Sequence, residues 1–137
     1  MSKILLCYTL LCLFYLTNGQ RANCKICKLD GKCLVPDKDG NLLAKSDANF
    51  VWSFTVFDRI QSMKDNKIYN LCGLNNNKIG LFTAEQYEGA DCEWKLSGLE
   101  NQLFAIKNVQ YKTYINVVQG QEAPELKGTV DQWKVQC

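Results

Sequence analysis

The chain has 137 residues, a formal net charge of +2 and no histidine. Its charges are dispersed, with no basic block and no acidic tail, so the sequence indicates neither a nucleic acid nor an anionic membrane as a partner. Without histidine, the Ser-His and Cys-His pairs that activate a nucleophile are excluded.

The N-terminal segment has the three-part pattern of a secretory signal peptide. Lys3 precedes an apolar run from Ile4 to Leu16, and small or polar residues follow it. The run is shorter than the ~20 apolar residues that span a bilayer, which disfavours a retained membrane anchor. We therefore predict cleavage before Gln20, a signal peptide over residues 1–19, and a secreted, extracellular domain over residues 20–137 without a membrane span.

Six cysteines remain after this cleavage, an even number that in an exported chain indicates three disulfides. Six cysteines allow 15 pairings, and the sequence alone leaves them open. The "CKIC" segment could also suggest a zinc or redox pair. Export and the absence of histidine disfavour both, so we predict no metal and no cofactor. The six are Cys24, Cys27, Cys33, Cys72, Cys92 and Cys137.

The segments between the cysteines predict short β-strands. Runs such as "FVWSFTVF", "LFAIKNV" and "TYINVV" are rich in aromatic and β-branched residues, with alternating or nearly alternating apolar positions. "DKDGN" and "LNNNKIG" supply turn residues between such runs. No segment keeps a helical period over three turns, so we predict an all-β fold.

The three tryptophans indicate an internal repeat. Trp52, Trp94 and Trp133 are separated by 42 and 39 residues and open the similar segments "WSFTV", "WKLSG" and "WKVQC". Upstream, "KICKLDG" and "KIYNLCG" both begin 27 residues before a tryptophan, so the first two copies superpose without a gap. Three copies of about 40 residues with four strands each predict about twelve strands and a closed barrel capped by hairpins. We expect Trp94 to belong to the core rather than to a ligand site.

This pattern resembles a β-trefoil with repeats of about 20–58, 59–100 and 101–137. The repeat length and the "NQLF" segment that starts at Asn101 are similar to ricin-B-type lectin repeats, although the Gln-x-Trp of that family is missing. The resemblance implies a bond between Cys72 and Cys92, which flank the middle hairpin of the second repeat. It also places the chain termini side by side, so that Cys137 bonds one of the first three cysteines and the other two pair.

Catalysis is not predicted, and no catalytic residue is assigned. Carboxylate pairs such as Asp91 with Glu93 lie in turn-like polar segments, where solvated surface charge is the ordinary role. Binding remains, and the resemblance favours a lectin-like, carbohydrate-binding protein with one site in the second repeat. Its ligand-binding candidates are amide, carboxylate and phenol side chains: Asn75, Asn76, Gln86, Tyr87, Asp91, Asn101 and Gln102.

Two alternatives stay open. The first is a trefoil that binds an extracellular protein, as a protease inhibitor or a cytokine-like ligand does; with either kind of partner we expect a monomer. An inhibitor would present a rigid loop with an exposed basic or apolar residue, and the loops around Lys38, Arg59 and Lys78 are candidates. The second is a scaffolding role in an extracellular fluid. For Asn75 to Asn77 and Tyr87, the structural alternatives are turn residues and a half-buried hairpin residue.

Overall fold

The computed structural model describes residues 20–46 and 48–137 and is all-β. The predicted signal peptide and Asp47 lie outside the described residues. Within them, no helix is long and apolar enough to cross a membrane. One three-residue 3₁₀ turn, Ala90–Cys92, and a turn at Glu100–Gln102 with left-handed φ at Asn101 and Gln102 accompany twelve strands. The strands are β1 (Arg21–Cys27), β2 (Lys32–Pro36), β3 (Leu42–Ser46), β4 (Trp52–Phe54), β5 (Ile60–Lys64), β6 (Lys67–Gly73), β7 (Ile79–Thr83), β8 (Trp94–Gly98), β9 (Phe104–Asn108), β10 (Tyr114–Asn116), β11 (Glu125–Lys127) and β12 (Lys134–Gln136).

The strands form a nearly closed, barrel-like ring with three hairpins attached. Eight strands pair in the order β3-β2-β1-β4-β5-β6-β7, with β12 also on β1, and β8 to β11 form a second sheet. A reciprocal pair of 2.8 Å backbone hydrogen bonds between Phe104 and Trp133 joins the two sheets, and Trp94 N–H donates to the carbonyl of Asp58 at 2.8 Å. β1, β4, β5 and β9 have paired strands on both sides, and the bond from Trp94 to Asp58 covers part of the open side of β8, so few backbone groups are left at an open edge.

The three tryptophans occupy matching positions in the core. Trp52, Trp94 and Trp133 are fully buried, and each indole Nε1–H donates to a backbone carbonyl, at 3.1, 2.7 and 3.0 Å respectively. The acceptors are Leu34 on β2, Leu71 on β6 and Ile115 on β10, which open the three attached hairpins. The prediction that Trp94 is a core residue is therefore confirmed.

The ungapped superposition of the first two copies is wrong in their first halves. It aligned Leu29 with Leu71 and Gly31 with Gly73, but Leu29 and Gly31 lie in an exposed turn whereas Leu71 and Gly73 are buried in β6. The indole acceptors show that Leu34 matches Leu71. The loop between β7 and β8 is longer than the loop between β3 and β4. This difference makes the distance from lysine to tryptophan the same in both copies, although their first halves do not align.

Three disulfides connect the chain. The predicted bond between Cys72 and Cys92 is present, and Cys137 bonds one of the first three cysteines as expected, namely Cys24. The two that remain, Cys27 and Cys33, face each other across β1 and β2 and pair. The Cys24–Cys137 bond joins the first strand of the ring to the end of the chain, where β12 pairs with β1.

An ion pair holds the end of the chain against the β1–β2 turn. The Lys28 ammonium donates to the Asp131 carboxylate and to the Gln132 carbonyl at 3.1 Å, and it lies 5.3 Å from the centre of the Trp133 ring. Burial raises the pKa of Asp131, but hydrogen bonds from Lys28 and from the backbone N–H groups of Val117 and Gln132 outweigh this effect. The pKa of Asp131 therefore lies below its ordinary value of 3.8.

Candidate functional site

The predicted ligand residues lie on three separate loops. Asn75 and Asn76 are exposed at the tip of the β6–β7 hairpin, where Asn76 Oδ1 accepts from Lys78 N–H at 3.1 Å. Asn101 and Gln102 form the turn between β8 and β9, and both have φ of 60°. Left-handed φ and side-chain contacts to nearby backbone are the ordinary properties of turn residues. The side chain of Asn76 and the backbone of Asn101 and Gln102 therefore have a structural explanation.

The β7–β8 loop contains the remaining candidates, Gln86, Tyr87 and Asp91. The Gln86 side chain is exposed. The Tyr87 ring packs on Phe82 with their centroids 4.4 Å apart and is 41% exposed. The Tyr87 carbonyl accepts from buried Asn70, and the Asp91 carbonyl accepts from buried Asn108 at 2.7 Å. The structure thus uses the backbone of this loop to satisfy buried amides, and none of the seven candidates lines the groove described next.

A groove of about 460 Å³ lies between the β2–β3 turn and the β5–β6 hairpin. Phe50, Tyr69 and Leu81 contribute apolar surface, and Ser62 contributes a hydroxyl. The groove contains two acidic and two basic side chains, so its formal charge is zero. The lining residues are Pro36, Asp37, Lys38, Asp39, Gly40, Phe50, Ser62, Met63, Lys64, Tyr69 and Leu81.

Hydrogen bonds fix the turn that forms one wall of this groove. The Asp37 carboxylate accepts from the backbone N–H groups of Asp39 and Asn41 at 2.8 and 2.9 Å. Gly40 adopts φ of +82°, and its carbonyl accepts from Leu81 N–H on β7 at 2.9 Å. The hydrogen bonds, first of all that from the Asn41 backbone, hold the pKa of Asp37 below its ordinary value. Asp37 therefore holds the turn in shape. The side chains of Lys38 and Asp39, which also line the groove, are exposed.

Four other segments supply the aromatic and aliphatic part of the groove: the residues before β4, and strands β5, β6 and β7. Tyr69 on β6 is paired with Ser62 on β5, and the next pair is Ile68 with Met63. A two-residue turn with left-handed φ at both positions joins these strands, which is the usual geometry of a tight hairpin. Phe50 stacks edge-on against Trp52 with centroids 4.9 Å apart. The aromatic surface is thereby anchored to the core.

Sequence reasoning did not find this groove, although it singled out the "DKDGN" turn. The turn itself contains no aromatic residue. The aromatic residues come instead from β6 and from the segment before β4. The consecutive pairing of β4, β5 and β6 brings Phe50 and Tyr69 together, and the long-range contact between Gly40 and Leu81 places the turn beside them.

Arg59 is not available as the docking residue of a protease inhibitor. Its guanidinium donates to the carbonyls of Gly89, at 2.8 Å, and Glu88, and lies 3.6 Å from the Glu93 carboxylate. Only 14% of the side chain is exposed. An inhibitor must insert its docking residue into an enzyme pocket, so the Arg59 side chain does not fit that role. Lys38 and Lys78 are exposed at hairpin tips.

Comparison of the chain with protein-family descriptions and with curated proteins finds no match.

Proposed function

We propose that the chain is a secreted β-trefoil that binds a glycan in the groove between the β2–β3 turn and the β5–β6 hairpin. The single observation that carries this proposal is the composition of the groove, in which aromatic faces lie beside charged and hydroxyl side chains from separate segments. This site replaces the loops that the sequence favoured.

The trefoil assignment is supported by the arrangement of the strands around the tryptophans. Six strands, β1, β4, β5, β8, β9 and β12, form the ring, and three hairpins project from it. The matching indole hydrogen bonds of Trp52, Trp94 and Trp133 are what a three-fold repeat requires. Secretion is supported by the apolar N-terminal run and by three disulfides, which form in oxidising compartments.

The chemistry of the groove suits a neutral or weakly charged sugar. A sugar ring presents C–H groups on one face, which can pack on Tyr69 or Phe50, and hydroxyls at its edge. Asp39 can accept hydrogen bonds from these hydroxyls, and Lys38, Lys64 and Ser62 can donate to them. Two acids and two bases leave no net attraction for a polyanion. Because the turn is fixed before the ligand arrives, little conformational entropy is lost on binding.

A glycan array, followed by calorimetric titration of the glycan that binds best, tests this proposal. We expect Tyr69→Ala to weaken binding at least about tenfold, as for the loss of an aromatic anchor. Tyr87→Ala is the matched control, since it removes the same side chain from the loop that sequence reasoning favoured. Binding that survives in Tyr69→Ala and is lost in Tyr87→Ala would return the site to that loop.

Thermal unfolding of both variants separates loss of the site from loss of the fold, because Tyr69 is half-buried. If Tyr69→Ala is destabilised, Asp39→Asn serves as a second probe, since Asp39 is exposed and its side chain holds no turn contact. We expect Asp39→Asn to weaken binding severalfold at an unchanged melting temperature. An array without any binding glycan would refute the proposal.

A further inference from the structure

Gln20 directly follows the position at which the sequence predicts removal of the signal peptide, so cleavage there makes it the first residue of the secreted chain. Strand pairing starts one residue later, with Arg21 opposite Phe54 on β4. Gln20 itself is exposed. Within residues 20–46 and 48–137, its side-chain amide has no hydrogen-bond partner. The amide is therefore accessible and not held by the fold.

The chain is fixed directly after Gln20. The Arg21 guanidinium lies 5.6 Å from the centre of the Phe104 ring, and Cys24 is bonded to Cys137. Because these contacts begin at Arg21, they hold neither the backbone nitrogen nor the side chain of Gln20. The side chain can fold back onto its own nitrogen without breaking a contact of the barrel.

A glutamine at the start of a chain carries both partners of a ring closure. The free α-nitrogen is a nucleophile, and the side-chain Cδ is an amide carbon that it reaches through a five-membered ring. An α-amino group titrates near neutral pH, so part of it is uncharged and able to attack. Reactions between groups held in one molecule are strongly favoured over the same reactions between separate molecules.

We propose that Gln20 is converted to pyroglutamate once the signal peptide has been removed. The α-nitrogen bonds to Cδ and the bond between Cδ and Nε2 breaks. Nε2 then leaves as ammonia, with the proton that the α-nitrogen gives up. The step needs no oxidant, reductant or co-reactant. This inference rests on the proposed secretion and on cleavage before Gln20, and it is independent of glycan binding.

The acids beside Gln20 do not prevent this step. Gln20 lines a cleft together with Glu88 and Glu93, and either carboxylate would favour the unreactive ammonium form of the α-nitrogen. Glu88 is exposed, and Glu93 already lies 3.6 Å from the Arg59 guanidinium. An exposed ion pair is so weak that it would slow ring closure only about fivefold. The product is an uncharged lactam, so the mature chain has no α-ammonium at this cleft.

The intact mass of the secreted protein, measured after incubation at neutral pH, tests the proposal. The undigested protein is used because ring closure during digestion would mimic the result. We expect a chain that starts at residue 20 and is lighter by one ammonia. Edman degradation, which needs a free α-amino group, should fail until pyroglutamyl aminopeptidase removes the first residue, and it should then read Arg21 first.

Gln20→Asn is the matched control. Asparagine keeps the amide, but attack by its α-nitrogen would form a strained four-membered ring, so this variant should keep its full mass. Its α-amino group should also react with an acylating label at neutral pH, where α-amino groups react in preference to lysine. The wild type should remain unlabelled at its first residue.

Two results would overturn the inference, and they are distinguishable. A secreted chain that starts at Gln20 with its full mass and a labelled α-amino group would leave secretion intact and refute the ring closure. A chain that starts at another residue, or that keeps residues 1–19, would refute the predicted cleavage and the inference together.

Discussion

Replacing Cys24 and Cys137 by alanine is expected to destabilise the protein more than any other loss of a disulfide. This bond joins residues 113 apart, whereas the Cys27–Cys33 bond joins residues only 6 apart. A disulfide limits the freedom of the unfolded chain, and the effect grows with the logarithm of the loop length. The bond also joins the first strand of the ring to the end of the chain, so the ring loses its covalent closure.

The chain-entropy relation gives a magnitude for each bond. For separations of 113 and 6, it predicts losses of about 4.8 and about 2.2 kcal/mol in the free energy of unfolding. The difference of about 2.6 kcal/mol is the useful quantity. Lost packing does not account for the predicted difference, because Cys27 and Cys33 are both buried whereas Cys137, in the long bond, is exposed.

Equilibrium unfolding in guanidinium chloride measures both losses against the wild type. The unfolding free energies in water should be compared rather than the midpoints, because an unfolded chain without the long cross-link exposes more surface and changes the denaturant slope. Mass spectrometry after thiol alkylation checks that the two other disulfides remain formed. Equal losses, or a larger loss for the Cys27→Ala/Cys33→Ala variant, would refute the role of covalent ring closure.

Two other predictions concern single side chains. A Cβ on Gly73 would lie 2.8 Å from Leu126 Cδ1, so Gly73→Ala should lower the free energy of unfolding, measured with denaturant, by about 2 kcal/mol. Gly98 has open space at its Cβ, so Gly98→Ala should change it very little, and equal effects would contradict this packing. Because the folded-state pKa of Asp131 is lowered, its ion pair with Lys28 stabilises the protein above about pH 4 and the effect is lost as the pH falls through that pKa. Asp131→Asn should therefore be about 1 kcal/mol less stable than the wild type at pH 7, and the difference should shrink as the pH falls below about 4; a difference independent of pH would contradict the assignment.

The strand-rich fold and the disulfides could be predicted because their signals are local or countable. Period-two runs and turn residues mark the strands, and three similar segments at Trp52, Trp94 and Trp133 indicate the repeat. The alignment of the first halves failed because loop lengths differ between copies while the spacing from lysine to tryptophan coincides by chance. Burial of Leu71 and exposure of Leu29 reveal the true match.

The candidate site could not be predicted, because its members meet only through strand pairing and a long-range contact. Neither Phe50 nor Tyr69 forms a motif with the "DKDGN" turn, and the contact that sets this turn against β7, from Leu81 N–H to the Gly40 carbonyl, joins residues far apart in sequence. Asn70 and Asn108 were also missed: each is a buried amide that donates to a loop carbonyl, a role that depends on neighbours the sequence does not specify. By contrast, Asn75 attracted attention because it is one of three consecutive asparagines, and these form a turn.

Titration of ¹⁵N-labelled protein with the best glycan from the array tests the proposed binding groove most directly. Amide chemical shifts report which residues the ligand contacts, whatever the effect of any substitution. We expect the largest changes at Gly40, Lys64 and Tyr69, since these residues line one groove from three separate segments. Changes confined to the loops of Tyr87 and Asn101, with the groove unaffected, would contradict the proposed site.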